Sequence, residues 1–500
     1  MSLFEHCQKI IVSLENSRAP FFYFILTFLT AILVRLFLEF FTSPFSFRAL
    51  SLWHLAVFYL ALALAVAFCL RLAIEQATPK ILKIIFCFFF FICLAPLIDL
   101  LVSRGAGARM TYLLPQAQPN LYWQFLTFGL ENTGLGLTWG IRLEVFAGLL
   151  GIFALVYMKG RSWLRSLLTA LAVYCFIFFF AITPFILQEL AKLLHLPALF
   201  SDFTAAAYCW LWALVLASAL FIVSQPKQAA VLIFNSRWLR VLVFLFLAGL
   251  GFWLGLGQQH FFWNLQTFFG LLLAAVSLLA SLAFAYLVND LQDTASDRLA
   301  ASQVLLDNVP KQICWMLAGS SALIAIVSAS QISVAVFFLV ALMLGLAWVY
   351  SLPPWRLKRV LIISKIVISL EALLVLMLGF VMAGGSLANF PKSLVWLFLA
   401  AVSLAANFLY LKDYQADKQA GLVTLPVVLG FNQAKVLIGF FMFLAYGAAY
   451  WLLRSFLLRP EVLLGLGFLV FLLFLKKYRE KHILIVFLLS LLFVLISWQK

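Results

Sequence analysis

Apolar runs of about 20 residues, long enough to cross a bilayer as helices, recur along this chain between short polar stretches. They fall near residues 20–40, 51–73, 81–102, 141–158, 164–189 and 204–224, then 238–256, 265–288, 312–329, 332–350, 361–383, 393–411, 435–453, 460–475 and 482–497. Membrane barrel strands would show short alternating segments. Runs such as Phe268–Val288 and Ile332–Val349 are apolar throughout instead. Lipid offers backbone groups no partner, so each run must satisfy its own hydrogen bonds as a helix. The pattern predicts an all-α, polytopic transmembrane bundle of about 15 spans. A polar, basic joint, Ser224-Gln225-Pro226-Lys227-Gln228 followed by Asn235-Ser236-Arg237, separates six spans from nine. It predicts an N-terminal multi-span region, 1–229, and a C-terminal bundle, 230–500. The segment Met1–Arg18 is polar, and the run after it is too long for the core of a cleavable signal, so it is expected to persist as a signal anchor.

Composition sharpens this. Of 500 residues, 66% are hydrophobic and 10% charged, with mean hydropathy +1.11. A soluble surface of this size needs far more charge. The formal charge of +16 would suggest nucleic acid in a soluble protein. In a membrane protein it reads as Lys and Arg retained in cytoplasmic loops against anionic lipid, and no nucleic-acid partner is expected. With the N-terminus inside, inner loops collect Lys80 and Lys83; Lys159, Arg161 and Arg165; Lys227, Arg237 and Arg240; Arg356, Lys358 and Arg359; Lys412 and Lys418; and Lys476, Lys477, Arg479 and Lys481. The outer loop with Arg104 and Arg109, and the one with Arg454 and Arg459, run against the trend. The seven cysteines include no CxxC pair and the five histidines have no ligand spacing, so disulfides and a zinc site are not expected.

Two acidic stretches on the predicted inner side carry the candidate chemistry. The first is Asn289-Asp290-Leu291-Gln292-Asp293-Thr294-Ala295-Ser296-Asp297. If the preceding helix continues through it, Asp290, Asp293 and Asp297 stand at i, i+3 and i+7, within roughly 60° of one another. Like charges on one face repel, and desolvation near a membrane raises the cost. A bound hard divalent cation removes both penalties; magnesium takes one or two carboxylates plus substrate phosphates. The second stretch, Asp413-Tyr414-Gln415-Ala416-Asp417, again puts two carboxylates on one helix face. One acidic stretch is often only a solvated turn. Two on one predicted side, in a chain with 18 acidic residues, point to a site.

These residues carry a family resemblance. N-D-x-x-D-x-x-x-D at 289–297 and D-x-x-x-D at 413–417 are similar to the two aspartate motifs of the UbiA superfamily of intramembrane prenyltransferases. Tyr350-Ser351-Leu352-Pro353-Pro354-Trp355-Arg356-Leu357-Lys358-Arg359 and the G-x-x-T-L-P-V-x-L-G run at 421–430 also resemble it. The resemblance covers roughly 230–500 and implies a nine-helix bundle with a polar cytoplasmic rim. It implies magnesium held by Asp290, Asp293, Asp297, Asp413 and Asp417, bridging to a prenyl diphosphate whose tail is reached from the bilayer. Asn289, Arg298, Arg356 and Lys358 would bind the donor, with Tyr350 and Ser351 by the reacting carbon or diphosphate; Gly421 and Thr424 would shape the loop. The implied reaction is Mg2+-dependent prenyl transfer to a lipophilic acceptor such as an aromatic ring. One departure is plain. Where the family continues N-K-P-x-R-P-L, this chain has Arg298-Leu299-Ala300-Ala301-Ser302-Gln303-Val304-Leu305. The family's diphosphate-binding Arg is missing there, with Arg298 or Lys311 as possible substitutes. A UbiA-fold membrane scaffold without catalysis therefore stands as the alternative, with an ion transporter a more distant rival.

Residues 1–229 lie outside the resemblance. They hold Arg35 and Glu39 at i, i+4, Asp99 near a helix end, and Arg142 and Glu144. Such charges read first as structural pairs, with an outward-facing site for a lipid head group as the other reading. The expected location is the bacterial inner membrane, with both aspartate motifs cytoplasmic.

Overall fold

In the computed structural model, residues 3–42, 49–107, 112–113, 121–128, 137–197, 200–234, 238–257, 261–299, 309–419 and 424–452 are described. Eleven helices among them are long and apolar enough to cross a membrane, spanning Phe21–Thr42 to Leu361–Met382. They match eleven of the expected spans. The spans expected near 460–475 and 482–497 lie outside the described residues. The chain divides into two compact units, Met1–Ala229 with Trp263–Phe269, and Ala230–Phe262 with Gly270–Lys500.

The first unit contains α1 (Leu3–Glu15), α2 (Phe21–Thr42), α3 (Ala49–Ile74), α4 (Thr78–Phe88), α5 (Leu94–Val102), α6 (Leu121–Thr127), α7 (Trp139–Met158), α8 (Trp163–Ala181), α9 (Thr183–Leu193) and α10 (Asp202–Ser224), and the division after Ala229 falls within α11 (Pro226–Phe234). The span expected over 164–189 is two helices. Pro184 has no amide hydrogen for the Phe180 carbonyl, so the α-helix cannot continue through it. The Thr183 hydroxyl donates to that carbonyl instead, at 2.7 Å.

The same logic explains the charges of this unit. Pro96 strips the Ile92 carbonyl of its helical donor, and the Arg35 guanidinium donates to that carbonyl at 2.6 Å. Arg35 also faces Glu39 at 3.3 Å and Glu144 at 3.4 Å. Glu144 accepts the Ala95 amide at the start of α5, at 3.2 Å. Asp99 accepts the Gly140 amide in the first turn of α7, at 2.7 Å. Arg35, Glu144 and Asp99 thus each cover a backbone group that a helix break or end leaves open. Arg35 is only 2% exposed, so Arg35→Met strands two carboxylates. It should cost about 3–5 kcal/mol, read as a lower unfolding temperature of the full-length protein in detergent. Adding Glu39→Gln and Glu144→Gln should recover most of that loss.

Loops that the charge pattern groups together meet at one end of this unit. Lys159 pairs with Glu15, Lys80 reaches Asn16 at 3.3 Å, and Arg165 meets Glu75 at 2.7 Å. That hydrogen bond, with Arg161 nearby, holds the exposed Glu75 carboxyl below its ordinary pKa.

The second unit contains α12 (Trp238–Leu256), α13 (Leu265–Leu299), α14 (Lys311–Ile332), α15 (Val334–Ser351), α16 (Leu361–Met382), α17 (Lys392–Leu397), α18 (Leu409–Gln419), α19 (Leu425–Leu429) and α20 (Phe431–Leu452). A core of Leu247, Leu278, Val288, Val340, Val375 and Phe380, with their neighbours, runs through it. Its tightest joint is between α12 and α16. A Cβ on Gly251 would lie 1.9 Å from the Leu376 carbonyl oxygen, and one on Gly379 would lie 1.8 Å from that of Ala248. Lipid tails are as apolar as leucine, so bilayer helices associate through such close packing rather than hydrophobicity.

One feature differs from the sequence expectation. The span over 393–411 is not one helix. After α17 come a π-helical turn at Phe398–Val402 and a 3-10 turn at Ala406–Phe408. Such backbone persists in a membrane where protein groups satisfy it. The Ser369 hydroxyl donates to the Phe398 carbonyl, and the Asn407 amide donates to Ser403 and Leu404 at 3.2 and 3.1 Å. Both aspartate stretches are helical, which is the condition under which their spacing puts carboxylates on one face.

Candidate functional site

A helix of 35 residues is about 52 Å long, against about 30 Å of hydrocarbon. α13 therefore cannot be contained in the bilayer core, and the polar stretch 289–299 is its overhang. Because the helix is continuous to Leu299, Asp290, Asp293 and Asp297 do share one face. Asp290 is buried, at 7% exposure, and Asn289 is half-buried. The side chains of Asp293, Asp297 and Arg298 lie outside the described residues.

The basic loop after α15 is laid against this overhang. The Arg356 guanidinium donates to the Gln292 carbonyl at 3.0 Å, and the Lys358 ammonium donates to the Asn289 side-chain oxygen at 3.4 Å. Arg356 holds a left-handed backbone, φ 42°, a region costing an ordinary side chain about 1–3 kcal/mol. Its amide bonds the Leu352 carbonyl at 2.9 Å, so both ends of the residue are fixed. Tyr350 and Ser351 form the last turn of α15, leading into that loop; Ser351 is 1% exposed and Tyr350 half-buried. With its oxygen facing Lys358, the Asn289 amide keeps its N–H groups for another acceptor.

The second motif lies on α18, where Tyr410, Asp413 and Asp417 stand at i, i+3 and i+7 on one face. Asp417 is half-buried and within electrostatic reach of Tyr410. The side chain of Asp413 and residue Gly421 lie outside the described residues, and Thr424 is buried ahead of α19. Tyr410 packs on the first turns of α16. Its hydroxyl is 3.1 Å from that of Ser364, and the Lys365 ammonium sits 3.2 Å from its ring centroid. α16 begins directly after the basic loop that touches the first motif. Both motifs are thereby tied to one end of the second unit, through the segment 352–365.

Lys365 is a residue that the sequence reading missed. It is 5% exposed, a buried cation on the aromatic face next to the second motif. Glu371, further along α16, is another. Both sit within the apolar run 361–383; the available signal was a charge inside a span, which is costly and usually functional. Lys311, a substitute considered for the missing Arg, is exposed at the start of α14.

Carboxylate and amide oxygens such as those of Asp290, Asp417 and Asn289 are the ligand type a hard divalent cation takes. Among the described residues no group of three or more His, Cys, Asp or Glu side chains clusters as a metal site.

Comparison with known proteins follows this geometry. The family model described as "UbiA prenyltransferase family" matches residues 242–495, just over half the chain, a range that includes both aspartate motifs and the 350–359 and 421–430 runs. No curated protein matches. Among solved structures, a UbiA homolog from Archaeoglobus fulgidus bound to DMAPP and Mg2+ is 20% identical, with TM-score 0.42, over 55% of this chain and 98% of its own. The same homolog bound to GPP and Mg2+ gives 20% and 0.41, over 53% and 98%. The apo structure of a UbiA homolog from Aeropyrum pernix K1 gives 20% and 0.39, over 50% and 97%.

Proposed function

Because this chain belongs to the UbiA prenyltransferase family, we propose that residues 230–500 form a Mg2+-dependent transferase domain moving a prenyl group from its diphosphate to a lipophilic acceptor. Residues 1–229 form a separate membrane region. The observation that carries the reading is the pinning of Arg356 and Lys358 onto Gln292 and Asn289, which gathers cations, amide and carboxylates at one end of the unit. Asp290, Asp293, Asp297, Asp413 and Asp417 would hold magnesium, which supplies Lewis-acid stabilisation of the departing diphosphate. Arg356 and Lys358 orient phosphoryl oxygens, and the Asn289 amide donates to one. Tyr350 and Ser351 border the reacting carbon. The Lys/Arg pattern supports a cytoplasmic site in the bacterial inner membrane.

The missing Arg after the first motif favours the scaffold reading. Lys365 answers it: a buried ammonium beside the second motif can take the diphosphate's charge from another direction. Lys365→Met should weaken binding of geranyl diphosphate by about 10–100-fold, measured by equilibrium binding in nanodiscs, and Lys365→Arg should keep most of it. The reading itself is tested by incubating the full-length protein in nanodiscs with labelled geranyl diphosphate. It predicts saturable binding that magnesium promotes and chelation abolishes. No metal-dependent binding would favour a scaffold.

A further inference from the structure

Glu371 is an acid of the second unit that the donor chemistry leaves unused. It lies on α16, one of the helices apolar enough to cross a membrane. Ile362, Ile363 and Ile366 mark the outward face of that helix. Glu371 is about 140° round from Ile366, on the side of Ser364, seven residues earlier, whose hydroxyl meets Tyr410. It is thus an inward-facing acid, about 10 Å deeper along the helix than the Tyr410 contact. Glu371 and Ile368 are half-buried, while Ser364, Val367 and Ser369 before Glu371 and Ala372 to Leu376 after it are buried. Among the described residues the carboxyl has neither a hydrogen-bond nor an ion-pair partner. An acid kept there without a structural partner is costly.

We propose that Glu371 contacts the prenyl acceptor and that the acceptor is a neutral, hydroxyl-bearing, lipid-soluble molecule. The inference rests on the transferase reading and adds the acceptor class to it. As the allylic C–O bond breaks, its electron pair leaves with diphosphate. The acceptor's nucleophilic atom bonds that carbon, and the proton it sheds passes to the Glu371 carboxylate, which later returns it to water. A carboxylate-bearing acceptor would bring a second negative charge against Glu371 in a dry site, where like charges repel strongly.

The test uses the full-length protein in nanodiscs with Mg2+, geranyl diphosphate and a matched pair of acceptors, naphthalene hydroquinone and its carboxylated counterpart. The wild type should prenylate the neutral ring with kcat/KM at least about tenfold higher, a discrimination of the size one unpaired charge produces. Glu371→Gln should bind geranyl diphosphate as the wild type does yet transfer to the neutral ring about 100-fold more slowly. Glu371→Asp should recover part of that rate. Wild-type transfer by Glu371→Gln overturns the proposal, as does no use of the neutral ring or a preference for the carboxylated one. Loss of donor binding in Glu371→Gln assigns the residue to architecture and also overturns it. Failure of the wild type to bind geranyl diphosphate overturns the transferase reading itself, which the binding arm reads separately.

Discussion

Asp290→Asn is expected to lower Mg2+-dependent release of diphosphate from geranyl diphosphate by about 100–1,000-fold. Asp290 is the one first-motif aspartate whose burial is established, at 7% exposure, and it begins the i, i+3, i+7 face of α13. The amide is nearly isosteric, so packing survives while one unit of negative charge leaves the metal-binding set. A hard divalent ion loses its strongest type of ligand. The effect should fall on release at saturating donor, and excess Mg2+ should restore only part of it. Asp417→Asn on α18 should act in the same direction. The two losses should be far from additive, because residues that act as one unit fail together. Discontinuous release assays over a range of Mg2+ concentrations read both effects. Wild-type release in either variant would remove that motif from the account.

Gly379→Leu should prevent α16 from docking on α12 and leave little folded protein. Even the first added carbon of Gly379→Ala would lie 1.8 Å from the Ala248 carbonyl oxygen. That is a backbone atom in a helix, with no rotamer to move. Overpacking of this kind costs about 3 kcal/mol, roughly 6–12 °C in unfolding temperature for a unit of this size. Leucine adds three more carbons to the same space. Gly345 on α15 is the internal control, since an added Cβ meets nothing within 4 Å. Gly345→Ala should be neutral or stabilising by up to about 1 kcal/mol. Thermal unfolding in detergent separates the two. The consequence is functional as well, because α16 carries Ser364, Lys365 and Glu371 and so sets their position relative to α18.

Much of this architecture was written in local patterns. Apolar run length located eleven membrane-length helices, and the spacing of Asp290, Asp293 and Asp297 was legible because the helix simply continues past its apolar part. Features created by tertiary packing were not legible. Nothing in Lys392–Phe408 marks a break; the run holds no Gly or Pro, and its π and 3-10 turns depend on Ser369, about 30 residues away, and on Asn407. The break at Pro184 could have been read, since proline cannot continue an interior helix without loss. The contact of Arg356 with Gln292 joins residues 64 apart, beyond any periodicity. Lys365 and Glu371 were overlooked because an apolar run was read as a span, without asking why two charges interrupt it. Arg35 shows the opposite case: its i, i+4 partner Glu39 was visible, but Glu144 and the carbonyl left open by Pro96 required the fold.

The most direct test is diffraction from the full-length protein with Mn2+ in place of Mg2+ and a non-hydrolysable geranyl diphosphate analogue. The account predicts anomalous manganese signal at both aspartate faces, one on α13 and one on α18, with the diphosphate between them. Manganese on one face alone, or diphosphate bound away from both, would contradict it.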